Sequence, residues 1–336
     1  MPGSDPFSYS VIAALLAVAI SSMGVFTSKW SPNDKIQHCY VTGGSTGLGL
    51  SLAKILVKNG AHISIVARNQ EKLNQAIAEL ESLRVSPTQV IKSYSFSLTD
   101  AAGSVAALDA ASEPFGGKVP DALFLCAGAS RPRFFIDDDT EALERGMRDA
   151  YWIQAYSAHA GIKKMVRQKV SGKIVFVGSM LSYMSFVGWS NYAPGKHALR
   201  GLADGLASEC QLYDISVQMY FPCTMETPGY EEENKLKPEI LKKLEETDKG
   251  MTPEDAAKAM YRGIQLGQQH ISGDLLTSIF RAGTRGVTPN HNILVDCILA
   301  LIAWIGIPIW RWTVDSAVKA HKKEHSEYLV KHGHAD

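Results

Sequence analysis

The chain has 336 residues, with 34 basic and 34 acidic side chains, a formal net charge of +0 and a pI near 7.1. A chain without net charge offers no broad field to a polyanion, so a nucleic-acid partner is not expected. The five cysteines form no CxxC pair, which argues against disulfides and a metal site such as zinc, and indicates a reducing compartment.

The first segment in chain order, Tyr9 to Thr27, is apolar and uncharged. Its length is close to the ~20 residues that a membrane-spanning helix needs. A secretory signal carries basic residues before its apolar run, whereas the charge here is Asp5, so an anchor is favoured over a cleaved signal. We therefore expect residues 1–34 to form a membrane anchor and its linker.

Residues 35–290 alternate short apolar runs with amphipathic stretches. This alternation predicts one α/β domain, a Rossmann-type doubly wound parallel sheet of about seven strands with helices on both faces. Six strands are located by their apolar runs: His38 to Val41, His62 to Ala67, Val90 to Ser95, Ala122 to Cys126, Ile174 to Val177 and Val217 to Phe221. The helical patterns are Leu50 to Lys58, Glu71 to Leu83, Ala142 to Val166 and His197 to Leu212.

A glycine-rich turn, TGGSTGLG, follows the first strand and opens the first helix. Its glycines permit a tight turn, close approach of the backbone to a pyrophosphate, and close packing of a helix whose amides face the phosphates. A merely flexible turn is the alternative, but the strand before and the helix after favour a dinucleotide site. The residues expected to contact the cofactor are Gly43, Ser45, Thr46, Gly47, Leu48 and Gly49.

The end of the second strand indicates which dinucleotide binds. Arg68 stands where an NAD enzyme carries an acidic residue for the ribose 2′-hydroxyl, and an arginine there accommodates a 2′-phosphate. Lys72 adds a second positive charge. Both side chains could be solvated surface residues, but the pattern favours NADPH.

The stretch NYAPGKHALRG places Tyr192 and Lys196 one helical turn apart, downstream of Ser179. A ketone that accepts a hydride needs a proton donor on its oxygen and a second donor to hold it. We expect the Lys196 ammonium to lower the pKa of the Tyr192 phenol and also to reach the nicotinamide ribose. Pro194 does little harm because first-turn amides lack intrahelical partners.

The charged insertion Glu231 to Lys249 contains a second amphipathic pattern. Leu236, Ile240, Leu241 and Leu244 recur at near-helical spacing, between lysines that would form cationic edges: Lys235, Lys237, Lys242 and Lys243. This pattern predicts a helix that either lies on an anionic membrane surface or packs on the domain's own core. The next irregular stretch, Arg281 to Asn292, reads as a linker.

The last apolar run, Ile293 to Trp312, lies beyond the globular pattern. Its tryptophans suit a headgroup boundary, and basic residues flank it on both sides. A buried core helix is the alternative, but membrane contact is favoured, as a re-entrant hairpin or an interfacial helix rather than a straight span. Residues 291–336 are therefore expected to be a membrane-associated segment with a basic tail.

Taken together, these motifs make residues 37–272 resemble the short-chain dehydrogenases/reductases. The resemblance implies that Ser179, Tyr192 and Lys196 are catalytic and that the fold forms dimers or tetramers. It implies cofactor contacts from Ala127, Gly128, Tyr192, Lys196, Pro222 and Thr227. Four positions depart from the family pattern, and the last replaces an asparagine of the usual proton relay: Ser97, Cys126, Cys223 and Ala150.

Within the family, the stretch ETPGYEEEN and the C-terminal apolar segment are similar to a branch that reduces a long-chain ketone lipid with NADPH. That likeness implies a site at the endoplasmic reticulum membrane, with the catalytic domain facing the cytosol. Two alternatives stay open. One is a membrane-bound steroid or retinoid reductase of the same family, and the other is a noncatalytic NADPH-binding scaffold, toward which Ala150 points.

Overall fold

The computed structural model of the protein describes residues 37–246, 250–284, 286 and 288–334, so the expected N-terminal anchor lies outside the described residues. Seven parallel strands form one sheet in the order β3-β2-β1-β4-β5-β6-β7. The strands are β1 (His38–Thr42), β2 (His62–Ala67), β3 (Ile91–Ser95), β4 (Ala122–Leu125), β5 (Lys173–Val177), β6 (Ser216–Phe221) and β7 (His270–Ser272). The doubly wound α/β fold is thereby confirmed.

The helices between and after the strands cover both faces of this sheet. They are α1 (Gly47–Lys58), α2 (Gln70–Glu81), α3 (Ala101–Ser112), α4 (Thr140–Met147), α5 (Ile153–Gln168), α6 (Ala193–Glu209), α7 (Pro228–Leu236), α8 (Glu239–Glu245), α9 (Pro253–Gln265), α10 (Leu275–Thr284), α11 (Ile293–Ala320) and α12 (Lys322–Lys331).

Successive side chains of a strand point alternately into two separate hydrophobic clusters. Val41 points into the cluster beneath α1, α2 and α9, and its neighbour Tyr40 points into the cluster beneath α3, α5 and α6. Side chains that alternate along a strand bury both faces of a parallel sheet. Because every strand runs the same way, the carboxyl ends of all seven meet at one edge, where ligands bind in such sheets.

A π-helical turn, Arg148–Trp152, joins α4 to α5 within the single helical stretch that the sequence predicts. Ala150 in this turn is fully buried against the first turn of α6. A Cβ atom added to Gly195 would lie 2.7 Å from the Ala150 Cβ. Close approach of the two helices therefore explains a glycine in the first turn of α6.

The C-terminal helices are joined to the domain by a buried ion pair, where the sequence suggested a linker. Arg281 to Thr284 form the last turn of α10, and the Arg281 guanidinium pairs with the Asp296 carboxylate of α11. The backbone amide of His291 donates to the same carboxylate at 2.8 Å. A buried guanidinium needs such a partner, so α11 is held on the catalytic domain.

Helix α11 is one continuous helix of 28 residues, so the run does not fold into a re-entrant hairpin. Among the described residues it is the helix long and apolar enough to cross a membrane. One face packs on the domain through Asp296, Leu299, Ala303 and Val314. The opposite face is apolar and exposed, and consists of Leu294, Val295, Ile298, Leu301, Ile302, Trp304, Ile305, Ile309 and Trp312.

Helix α8 decides between the two interpretations of the charged insertion, a helix on a membrane surface or a helix packed on the domain's own core. Ile240 and Leu241 are buried, and Leu241 packs beside Trp189. Lys237, expected on a cationic edge, is buried in ion pairs with two glutamates. Within its described residues, the insertion therefore packs on the domain's own core through Ile240 and Leu241, whereas Leu236 is exposed.

Candidate active site

A groove of about 390 Å³ follows the glycine-rich turn along the carboxyl edge of the sheet. It collects most of the predicted cofactor contacts: Gly43, Ser45, Thr46, Gly47, Leu48, Gly49, Arg68, Lys72, Ala127, Gly128 and Thr227. The three remaining ones, Tyr192, Lys196 and Pro222, line the adjoining larger cavity. The two spaces share Cys126, Ala127 and Gly128 as a common wall.

Glycines of this turn lie so close to neighbouring backbone that they leave no room for a side chain. Gly43 has a φ of +66°, and a Cβ there would lie 3.0 Å from the Ala127 backbone. A Cβ on Gly49 would lie 2.4 Å from the Gly43 carbonyl oxygen, so α1 begins directly against the turn. Within the described chain, the Thr46 side chain makes no cap hydrogen bond to α1. The first-turn amides therefore face the groove, a cradle that fits a dinucleotide pyrophosphate.

Charge at the β2 end of the groove is positive. Arg68 and Lys72 line it there and are exposed. Among the described lining residues Asp149 is the carboxylate, and it pairs with Arg131. This end of the groove therefore carries two cations and suits an anionic group.

Ser179, Tyr192 and Lys196 line one cavity of about 1000 Å³. Tyr192 is the N-cap residue of α6, one position before the first turn in which the sequence placed it. The Lys196 Nζ atom lies 5.6 Å from the centre of the Tyr192 ring. The Ser179 hydroxyl caps the 3-10 turn Met180–Ser182, where it accepts a hydrogen bond from the Leu181 amide at 3.1 Å.

Burial sets the electrostatics of this pair. It lowers the pKa of the Lys196 ammonium to about 7, since a charged amine loses hydration in the cavity wall. Burial also raises the pKa of the Tyr192 phenol, and the nearby Glu233 carboxylate raises it further. The lowered phenol pKa expected from the sequence is therefore not found in this cavity, because burial and the Glu233 charge both raise that pKa.

A polar junction at the end of β5 holds the lysine. The Val177 carbonyl accepts hydrogen bonds from Lys196 Nζ at 2.9 Å and from Gln154 Nε2 at 2.8 Å. Gln154 also accepts from the Val177 amide at 3.0 Å. Gln154, one turn after Ala150, supplies the buried side-chain amide of this junction. The sequence did not indicate it as a site residue.

The loop after β6 connects the groove to the cavity. The Pro222 carbonyl accepts from the Met180 amide at 2.9 Å, which ties this loop to the 3-10 turn. Thr227 caps α7 by accepting from the Tyr230 amide at 3.1 Å, and its methyl group would lie 3.1 Å from a Cβ on Gly47. At the shared wall, burial raises the pKa of the Cys126 thiol to about 12, so this cysteine is no thiolate.

The cavity contains polar residues whose roles the sequence did not reveal. Glu233 and Glu245 line it, and Lys237 lies behind them between the two carboxylates. Trp189, also in the wall, donates its indole N–H to Glu245 at 3.2 Å. The only signal in the sequence is the stretch ETPGYEEEN, which contains Glu233 but does not indicate the partner of each charge.

Comparison with known proteins agrees with this geometry. Residues 37–237 match the family model described as short chain dehydrogenase. The chain belongs to the short-chain dehydrogenase family and is an oxidoreductase with the nicotinamide-cofactor site of that family. A solved short-chain dehydrogenase from Sphingobium yanoikuyae, in complex with NADPH, shares the fold with a TM-score of 0.61, 21% identity and coverage of 71% of this chain and 88% of that one.

Several curated proteins with a named reaction are similar to this chain. A 3-ketodihydrosphingosine reductase of Cryptococcus neoformans is 40% identical, over 96% of this chain and 98% of that protein. One from Dictyostelium discoideum is 32% identical, over 93% of this chain and 97% of that protein. A 3-dehydrosphinganine reductase of Danio rerio is 33% identical, over 84% and 86% respectively.

Removing the Tyr192 hydroxyl tests its place in the chemistry. We expect Tyr192→Phe to lower kcat by roughly a hundredfold or more, since a positioned proton donor contributes about that much. NADPH affinity, measured by fluorescence titration, should remain close to that of the wild type. The control is Tyr156→Phe, which removes the hydroxyl group from a tyrosine ring that stacks on Trp152. A Tyr192→Phe enzyme that kept most of its turnover would contradict the assignment.

Proposed function

We propose that this chain reduces the ketone of 3-ketodihydrosphingosine with NADPH and yields dihydrosphingosine, a step of sphingolipid biosynthesis. The observation that carries the proposal is the identity with reductases of that name over nearly the whole of both chains. The Ser179, Tyr192 and Lys196 set supports an active enzyme, because a scaffold has no need of that geometry at a cavity.

The chemistry follows from which atoms the cavity presents. NADPH, when bound in the groove, supplies the hydride that reaches the carbonyl carbon. Tyr192 donates its phenolic proton to the carbonyl oxygen, while the Ser179 hydroxyl holds that oxygen in place. Lys196, with a pKa of about 7, is partly protonated near neutral pH and can return a proton toward Tyr192. One hydride and one proton convert the ketone to the alcohol.

The identity of the ketone is tested on the unmutated, full-length chain. We expect NADPH-dependent formation of dihydrosphingosine from 3-ketodihydrosphingosine in vesicles, followed by mass spectrometry. Steroid and retinoid ketones, presented in the same vesicles, should be reduced far more slowly. Fast reduction of a steroid or retinoid ketone with none of the long-chain ketone would favour the other branch of the family.

Arg68 supports NADPH as the cofactor, because its guanidinium lies at the end of the groove that a ribose 2′-phosphate would occupy. A charge-assisted hydrogen bond contributes about 1.5–3 kcal/mol, which is roughly a tenfold to hundredfold change in affinity. We expect Arg68→Ala to raise the KM for NADPH by that factor and to leave the KM for NADH nearly unchanged. Equal increases for both cofactors in steady-state assays would show that Arg68 supports the fold instead.

The place of the enzyme follows from its substrate and from α11. A ketone with a long alkyl chain stays in a bilayer, since each buried methylene contributes about 0.8 kcal/mol. The inner face of α11 contributes Trp310, Thr313 and Val314 to the cavity wall, while its outer face is apolar and exposed. We therefore place α11 in the plane of the endoplasmic reticulum membrane, with the cavity mouth at the lipid surface.

The side of that membrane is indicated by the cysteines. All five are free thiols: Cys39, Cys126, Cys210, Cys223 and Cys297. Free thiols persist in a reducing compartment, which supports a catalytic domain that faces the cytosol.

Acidic substitutions on the outer face of α11 test its proposed position at the membrane surface. Leu301 and Trp304 are 59% and 76% exposed, so a Leu301→Glu/Trp304→Glu variant should fold. Its KM for the vesicle-embedded ketone should rise by roughly tenfold or more, since two apolar anchors are lost and two charges are added at the lipid surface. Turnover of a short, water-soluble ketone should stay within about twofold, because the cavity wall is unchanged.

Val85→Glu is the matched control, since Val85 is also 59% exposed but precedes β3 at the opposite edge of the sheet. Equal losses on the vesicle-embedded and the soluble ketone would mean that the outer face of α11 supports the fold rather than membrane contact.

A further inference from the structure

Two glutamates of the cavity wall, outside the catalytic residues, share a buried lysine that lies behind them. Lys237 Nζ lies 3.0 Å from Glu233 Oε1 and 2.7 Å from Glu245 Oε2, and the Lys237 side chain is 2% exposed. The Ser130 hydroxyl donates to the second oxygen of Glu233, and the Trp189 indole donates to Glu245 at 3.2 Å. We call Glu233, Lys237 and Glu245 the acidic trio.

The acidic trio lies at the same end of the cavity as the catalytic phenol. The Trp189 ring centre is 5.7 Å from that of Tyr192 and 5.8 Å from Lys237 Nζ. Glu233 is near enough to Tyr192 for its charge to add to the effect of burial and raise the pKa of the phenol. A group bound at Glu233 is therefore close to the ketone that Tyr192 protonates.

The charges of the acidic trio do not cancel. Two carboxylates face one ammonium group, whereas a plain ion-pair link between α7 and α8 needs one of each. The neighbouring Glu232 and Lys235 also line the cavity, but they pair with each other and so add no net charge to it. A partly buried carboxylate without full compensation is costly, and a bound cation relieves that cost.

The two glutamates are not equivalent. Burial raises the pKa of the Glu245 carboxyl, and its two oxygens take Lys237 and the Trp189 indole. Glu233 shares the cation of Lys237 and otherwise contacts the neutral Ser130 hydroxyl. Since Glu233 is also the carboxylate whose charge acts on Tyr192, it is the one placed to bind a second cation.

We infer that Glu233 binds the ammonium group that the substrate carries on the carbon next to its ketone. The inference rests on the proposed function, since 3-ketodihydrosphingosine is a long-chain ketone with an amino group beside the carbonyl. Lys237 and Ser130 position the carboxylate, and Tyr192 and Ser179 take the ketone oxygen. A ketone without an amine leaves Glu233 desolvated with only a cation that it shares with Glu245, so this contact selects amino ketones over steroid or retinoid ketones.

The inference is tested with two substrates and two glutamine variants of the full-length chain. The substrates are the amino ketone and its desamino analogue, which keeps the ketone, the primary hydroxyl and the alkyl chain. Glu233→Gln should lower kcat/KM for the amino ketone by roughly tenfold to a hundredfold, as expected for loss of a charge-assisted contact. Its kcat/KM for the desamino analogue should not fall, since the variant has no carboxylate left short of a cation, and its NADPH affinity should be unchanged.

Glu232→Gln is the matched control, since this neighbouring side chain is 71% exposed, and both substrates should be reduced as by the wild type. Equal losses on both substrates by Glu233→Gln would assign the acidic trio a structural role and overturn the inference. No loss on the amino ketone would overturn it as well. A wild-type chain that reduces the desamino analogue but not the amino ketone would contradict the proposed function itself.

A measurement on the unmutated chain decides the case if Glu233→Gln does not fold. Octadecylamine and octadecanol share one alkyl chain and differ in the head group, and the amine is protonated at neutral pH. Octadecylamine should inhibit reduction of the vesicle-embedded desamino analogue at least roughly tenfold more strongly than octadecanol. Equal inhibition constants would overturn the inference.

Discussion

The backbone carbonyl of Val177, at the carboxyl end of β5, joins the elements on which the site depends. It accepts hydrogen bonds from Lys196 of α6 and from Gln154 of α5, so two helices and the central sheet meet at one atom. An ammonium group buried there keeps a fixed position, and burial brings its pKa close to 7. Tyr192 takes its position from the same helix, one turn earlier. Catalytic geometry is thus a consequence of how α5 and α6 pack on β5.

The second constraint is the buried pair of Arg281 and Asp296, which fixes α11 on the domain. Once α11 is in place, Trp310 packs edge-on against Phe280, with ring centres 5.3 Å apart, and both side chains line the cavity. A helix that closes the substrate cavity cannot leave the domain to cross a bilayer without opening that cavity. This contact and the exposed apolar face of α11 support our proposal that the helix lies along the lipid surface.

The features that the sequence predicts correctly are those encoded locally. Strands β1, β2, β4, β5 and β6 are largely apolar runs, whereas β3, IKSYS, is mixed. The glycine-rich turn and the Tyr192/Lys196 spacing each occupy one short stretch, and the structure places them along the adjoining groove and cavity. The features missed depend on distant partners. Lys237 is expected on an exposed edge, yet it is buried in an ion pair with Glu245, eight positions later. Arg281 is expected in a linker, yet it belongs to a helix and pairs with Asp296 on another helix. Strand β7 escapes prediction because it is three residues long and two of the three, His270 and Ser272, are polar.

The two ends of the cavity contribute differently to recognition. An alkyl tail that moves from a bilayer to the apolar wall near Trp310 exchanges one hydrocarbon surrounding for another, so its many methylenes add little net affinity. Any long-chain lipid in the same membrane would gain equally from that wall. Under the proposed function, discrimination among lipids therefore comes from the polar end, where Tyr192, Ser179 and the two glutamates line the cavity. Two carboxylates share the one ammonium of Lys237 there, so a ketone that brings no cation covers a carboxylate whose charge is only partly balanced, and that cost outweighs several methylenes.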